Sequence, residues 1–180
     1  MDILLHICCG PCLIYPFSRL KEKGFSIKGF YYNPNIYPAE EYSKRKSALE
    51  FLSNDLQLEI ESPEYRQSDF FQAIETRENT PQRCISCWSL RLQKTAEAAK
   101  AKGLNFFSTT LLVSPYQDHE MLKQLGEKIA GVTGVEFYYE DLRPGFRQAY
   151  QEAKGRGLYL QKYCGCKYSM KPEICKANAK

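Results

Sequence analysis

A chain of 180 residues, 43% hydrophobic and 26% charged, has the size and balance of one folded domain with one core. No apolar run approaches the roughly 20 residues that cross a bilayer. The N-terminal stretch lacks a basic leader and is interrupted by Cys8, Cys9 and Cys12, which argues against a secretion signal and predicts a cytoplasmic protein with no membrane partner.

In chain order, Ile3–Ile7 is an apolar run of buried-strand length, with Cys8 and Cys9 expected at its carboxyl end. Pro11 marks a helix start, and residues 12–23 read as a helix ended by Gly24. Residues 25–32 form a second strand, stopped by Asn33-Pro34-Asn35. Helices are expected over 38–53, 68–77 and 83–102, the last ending at Gly103. Residues 104–113 read as a strand, 115–130 as a helix after Ser114-Pro115, 135–138 as a short strand, and 145–154 as a final helix. This alternation predicts a single α/β domain over 1–180, a parallel sheet with helices on both faces. Its ligand belongs at the carboxyl ends of the strands.

The charge is uneven. Residues 1–142 carry a net −3 and residues 143–180 a net +7, which together give the chain's +4. The basic segment is interleaved with Phe146, Tyr150, Tyr159, Tyr163 and Tyr168, a pattern that suits a polyanion with bases to stack on; a solvated surface accounts for the charge equally well.

Eight cysteines, at 8, 9, 12, 84, 87, 164, 166 and 175, fall in close groups. A domain this long needs no disulfide framework, so the groups point to metal or redox chemistry. Cys8, Cys9 and Cys12 occupy a strand-to-helix turn whose free N–H groups favour thiolates. Cys84 and Cys87 share a helical face, and Cys164 and Cys166 flank Gly165. Three assignments fit: an iron–sulfur cluster, a structural four-cysteine zinc site in an RNA-binding protein, or a thioredoxin-like dithiol spelled Cys9-Gly10-Pro11-Cys12. The last leaves the remaining cysteines without a role.

Leu4-Leu5-His6-Ile7-Cys8-Cys9-Gly10-Pro11-Cys12 resembles the opening motif of the cobalamin-independent epoxyqueuosine reductases, the QueH family. The similarity continues through Phe30–Ile36, Arg83–Leu92, Ser108–Tyr116 and Tyr163–Ser169, in the family's order. The resemblance implies a Rossmann-like, adenine-nucleotide hydrolase-like sheet. It also implies two-electron removal of the epoxide oxygen of epoxyqueuosine at the tRNA wobble position, using a 4Fe–4S cluster, no cobalamin and no ATP. The partners implied are a tRNA anticodon stem-loop and an unidentified electron donor.

On that reading Cys8, Cys9, Cys84 and Cys87 hold the cluster. Cys12, Cys164 and Cys166 line the same pocket, as ligands of an additional mononuclear iron or in reserve, and Cys175 is a bystander. Tyr32 and Asn33 are candidates to bind the cyclopentane diol or donate a proton. Thr109, Thr110 and Ser114 are expected to line the pocket. Tyr163 and Tyr168 are candidates for stacking on anticodon bases. Arg83 and Arg91 are assigned either to tRNA phosphate or to surface salt bridges, His6 to the core and His119 to the surface. The basic segment 143–180 is expected to pack on the active-site edge.

Overall fold

The computed structural model describes residues 1–170. Five parallel strands, β1 (Asp2–His6), β2 (Ser26–Phe30), β3 (Ile60–Glu61), β4 (Phe106–Thr109) and β5 (Glu136–Phe137), form one sheet in the order β3-β2-β1-β4-β5. The helices are α1 (Gly10–Glu22), α2 (Ala39–Asp55), α3 (Gln67–Ile74), α4 (Gln82–Ala101), α5 (His119–Thr133) and α6 (Phe146–Gly155). The alternating α/β reading holds.

Strand β1 is central and apolar on both sides, as a strand covered on both faces must be. Ile3, Leu5 and Ile7 point into a core closed by α1, α2 and α6, through Leu13, Leu20, Leu49, Leu52, Ala149 and Ala153. Leu4 points the other way, against Leu92 and Ala96 of α4, Ile129 of α5, and Phe107. Strand order runs outward from β1 in both directions, so the crevice between β1 and β4 is the place where this topology puts a ligand.

Several boundaries differ from expectation. β1 ends at His6, so Cys8 and Cys9 lie beyond the strand, and Cys9 is the extended N-cap of α1. The 104–113 strand is shortened to Phe106–Thr109; Thr110–Val113 winds into a 3-10 turn because the Thr109 hydroxyl accepts from the Leu111 amide. Helix α5 begins at His119 rather than 115, where Asp118 caps the Met121 amide at 3.0 Å. Strand β3 was not expected. Cys175 lies outside the described residues.

His119 is buried, not on the surface: its Nε2 bonds the Ser114 carbonyl at 3.1 Å, fastening the start of α5 to the end of the 3-10 turn. His6 is a core residue, as expected. Thr109 Oγ1 lies 2.8 Å from Nδ1 and already accepts from Leu111, so it donates to Nδ1; Nε2–H then donates to the Tyr32 carbonyl at 3.2 Å. Burial holds its pKa down to about 4, so the ring is neutral.

Candidate metal centre and substrate cleft

The turn after β1 places the first three cysteines together. The sulfurs of Cys8, Cys9 and Cys12 all lie within 4.8 Å of one another. Thr110, reaching in from the neighbouring strand's end, accepts from the Cys8 amide at 3.0 Å and donates to Cys8 Sγ at 3.3 Å. Gln161 Nε2 donates to Cys9 Sγ at 2.9 Å. Donation from Cys12, Cys9 and Thr110 pulls the Cys8 thiol well below its ordinary pKa. Cys12 is raised by giving its proton to Cys8, and burial raises Cys9. The three sulfurs lie at the N-terminus of α1, which has no side-chain cap and where the helix dipole favours an anion.

The other described cysteines come from two further segments. Cys84 and Cys87 sit in the first turns of α4, and Cys87 packs with Cys166 beside Phe70 and Ile74. Burial pushes Cys87 up to about 11 and also raises Cys84. Arg45 of α2 anchors the segment that brings Cys164 and Cys166 here: it donates to the carbonyls of Tyr163 (2.9 Å) and Cys164 (3.0 Å) while paired with Glu41 at 2.8 Å. The Tyr37 amide donates to Gly165 O at 2.9 Å. Gly165 has a φ of +139°, and a Cβ there would lie 3.1 Å from Arg45 Nη1 and Asn35 Nδ2, so the turn requires glycine.

A cleft of about 660 Å³ opens beside these sulfurs. Buried Cys12, Asn33 and Arg91 and half-buried Cys8 line it, together with the exposed Cys164. Tyr116, Phe146, Tyr150, Tyr163 and Lys162 line its outer part, with Ser114 among the wall residues. Tyr116 and Phe146 meet edge to face at 5.8 Å, and Tyr116 and Tyr150 are about half exposed, at 50% and 48%. Part of the basic, aromatic segment therefore forms one wall.

Other candidates sit elsewhere. Tyr32 stacks with Phe30, two residues earlier on the same face, and its hydroxyl donates to Asp69 at 2.9 Å outside the cleft. Thr109 serves His6 and the 3-10 turn, and Thr110 touches Cys8 rather than the cleft. Tyr168 bonds Glu78 at 2.7 Å and stacks against Arg83 at 5.0 Å, away from the mouth. Arg83 and Arg91 are not surface residues: they are 5% and 2% exposed, and only Arg91 reaches the cleft. Asn33 holds the turn by donating to Ile7 O at 2.8 Å while its Oδ1 faces Arg91 at 3.5 Å.

Sequence reasoning did not single out Arg45, Gln161, Asn35 or Tyr116 as site residues; only for Tyr116, beside Pro115 at a strand's end, was there a positional signal.

The donor set suits a thiolate-bound metal. The seven described cysteines are free thiols from three separate segments: Cys8, Cys9 and Cys12 meet in one group, Cys164 joins Cys8 and Cys12 on the cleft lining, and Cys87 packs with Cys166. Soft sulfur donors select zinc, copper(I) or iron–sulfur centres over magnesium or calcium.

A family model described as "Epoxyqueuosine reductase QueH" matches residues 3–172. Among curated proteins, the chain is 37% identical to the Dehalococcoides mccartyi protein named epoxyqueuosine reductase QueH, covering 98% of this chain and 97% of that one. It is 35% identical to the protein of that name from Thermotoga maritima, covering 93% and 90%. A solved structure, described as a predicted subunit of a tRNA methyltransferase from Methanocaldococcus jannaschii, shares the fold with a TM-score of 0.57 at 11% identity, over 86% of this chain and 74% of that one. These matches favour neither the zinc-stabilised RNA-binding protein nor the dithiol oxidoreductase, and the chain belongs to the epoxyqueuosine reductase QueH family.

Proposed function

We propose that this protein is an epoxyqueuosine reductase acting on the wobble nucleoside of tRNA. The observation that carries the reading, beside family membership, is a cleft lined by Cys8, Cys12 and Cys164 together with Tyr116, Phe146, Tyr150, Tyr163 and Lys162. Such a cleft suits a base displaced from a single-stranded loop, stacked on aromatic rings, with its side arm directed inward.

The reaction breaks both C–O bonds of the epoxide, forms the carbon–carbon double bond of the cyclopentene, and releases the oxygen as water. It consumes two electrons from an external donor and two protons. Cys8, Cys9, Cys84 and Cys87 are assigned to a 4Fe–4S cluster, and Cys12, Cys164 and Cys166 to an additional iron or to reserve coordination. When bound, the cluster supplies low-potential electrons.

The chain's own residues do the rest. Asn33 and Arg91 present polar groups at the deep end; Tyr163, Ser114, Tyr116 and Phe146 hold the nucleoside and exclude water. Tyr32, Thr109, Arg83 and Tyr168 support this frame from behind. No helix among the described residues is long and apolar enough to cross a membrane, and the free thiols suit the reducing cytoplasm.

The test is anaerobic incubation of reduced, iron-loaded protein with epoxyqueuosine-bearing tRNA, with neither cobalamin nor ATP added. Nucleoside mass spectrometry should show loss of one oxygen. Unchanged epoxyqueuosine would refute the activity, and a Cys84→Ala protein with full iron content would refute the ligand assignment.

A further inference from the structure

Helix α4 carries two buried guanidinium groups beside its two cysteines. Arg83 adjoins Cys84, and Arg91 lies one turn beyond Cys87, whose carbonyl accepts from Arg91 Nε at 3.3 Å. Among the described residues neither forms an ion pair with a carboxylate. Arg83 donates to a backbone carbonyl, that of Glu78, and lies over the Tyr168 ring. Arg91 reaches only Cys87 O and, at 3.5 Å, Asn33 Oδ1. Each keeps one buried nitrogen with no partner, Nε in Arg83 and Nη2 in Arg91.

Arg45 provides the contrast. It is as deeply buried, but Glu41 neutralises it and its remaining donors hold backbone carbonyls. A buried charge without a counter-charge is strongly unfavourable. Arg83 and Arg91 therefore need an anion, and cysteines lie beside both: Cys84 adjoins Arg83, and Arg91 shares the cleft lining with Cys8, Cys12 and Cys164.

We infer that Arg83 and Arg91 are the built-in counter-cations of the metal centre, two fixed positive charges set against the charge of four thiolates. A four-thiolate divalent metal, or a resting four-thiolate 4Fe–4S cluster, is a dianion, and the two guanidiniums match it. They are positioning residues: they act on the centre through the sulfurs, Arg91 from the cleft side and Arg83 from the side closed by Tyr168. The inference rests on the metal-centre part of the proposed function and not on the identity of the substrate.

The experiment compares full-length wild type with Arg83→Gln, Arg91→Gln and Arg91→Lys. Metal-free protein is titrated anaerobically with cobalt(II), read by sulfur-to-cobalt charge-transfer absorption. The reconstituted cluster is then titrated to find its reduction potential. Each glutamine variant should bind cobalt about tenfold or more weakly and, where the cluster assembles, show a more negative potential. Arg91→Lys should recover most of both.

Arg83→Gln provides an independent reading if Arg91→Gln fails to fold. Wild-type cobalt affinity and potential in the glutamine variants would overturn the inference, as would failure of lysine to restore them in folded protein. If wild type binds no cobalt on sulfur and builds no cluster, the metal reading and this inference fall together. If it builds the cluster but leaves epoxyqueuosine intact, only the substrate reading falls.

Discussion

Arg45 holds Cys164: Nη1 of the guanidinium donates to the cysteine's carbonyl oxygen at 3.0 Å across 119 residues of sequence, while Nε pairs with Glu41. Arg45→Ala leaves the Glu41 carboxylate buried, with Tyr159 as its remaining donor, and cuts the C-terminal segment loose. The expected cost is about 3 kcal/mol, together with faster alkylation of Cys164 in metal-free protein. Urea unfolding and mass-mapped iodoacetamide labelling read both. An unchanged midpoint and labelling rate would show that this clamp is not needed.

Gly145 lies against the ring of Tyr15, and a Cβ there would sit 2.0 Å from the ring carbon Cγ. The clash is with the rigid base of the ring, so α6 must shift off α1. Gly145→Ala should therefore destabilise the fold by about 1–3 kcal/mol. Because Phe146, Ala149 and Tyr150 of α6 line the cleft, tRNA binding should weaken as well. A Tyr15→Ala, Gly145→Ala double variant that is no less stable than Tyr15→Ala alone would confirm the steric origin.

Stability should fall with acid in a defined window. Burial lowers the His119 pKa below its ordinary 6.5, so between the folded value and 6.5 the unfolded chain binds more protons. Stability is then complete above pH 6.5 and declines as the pH drops toward the folded value. His6, held at about 4, acts in the same direction. Asp141 is held at about 2, chiefly by the hydrogen bonds of Arg143, so its contribution is also lost with acid, but only as the pH falls from its ordinary 3.8 toward about 2. Urea midpoints at pH 7.5 and pH 5.5 should differ less in His119→Gln than in wild type; equal differences would exclude His119 as a source.

The outer aromatic pair makes a kinetic prediction. Tyr116→Ala and Phe146→Ala remove stacking surface at the cleft mouth without touching a cysteine. Each should raise KM for tRNA by a factor corresponding to about 1–3 kcal/mol, with kcat and iron content near wild type. A fall in kcat at unchanged KM would instead place these rings closer to the reacting atoms.

Much of this arrangement was readable from residue order. The apolar run before Cys8, Pro11 after it and glycines after three helices are local signals, and the cysteine groups point by spacing to metal or redox chemistry without choosing among the centres. What failed were features set by distant partners. Strand β3 is two residues long and exists through its pairing with β2, which periodicity cannot detect. Arg83 and Arg91 look like ordinary helix-surface charges, since their burial depends on which face of α4 meets the sulfurs. Tyr32 sits at the right edge of the sheet but points to the other side, a consequence of strand alternation counted from Phe30. Gln161 lies outside the helical and strand elements and carries no pattern at all.

The cleft draws on both ends of the described chain, with Cys8 just after the first strand and Cys164 beyond α6. On the ribosome, residues 160–166 emerge after the sheet, the aromatic helix α6 and five of the sulfurs are already available. Until they emerge, Cys9 lacks its Gln161 contact and Arg45 has no carbonyls to hold. The sulfur group after the first strand is thus furnished only when the last described segment of the chain folds back onto it.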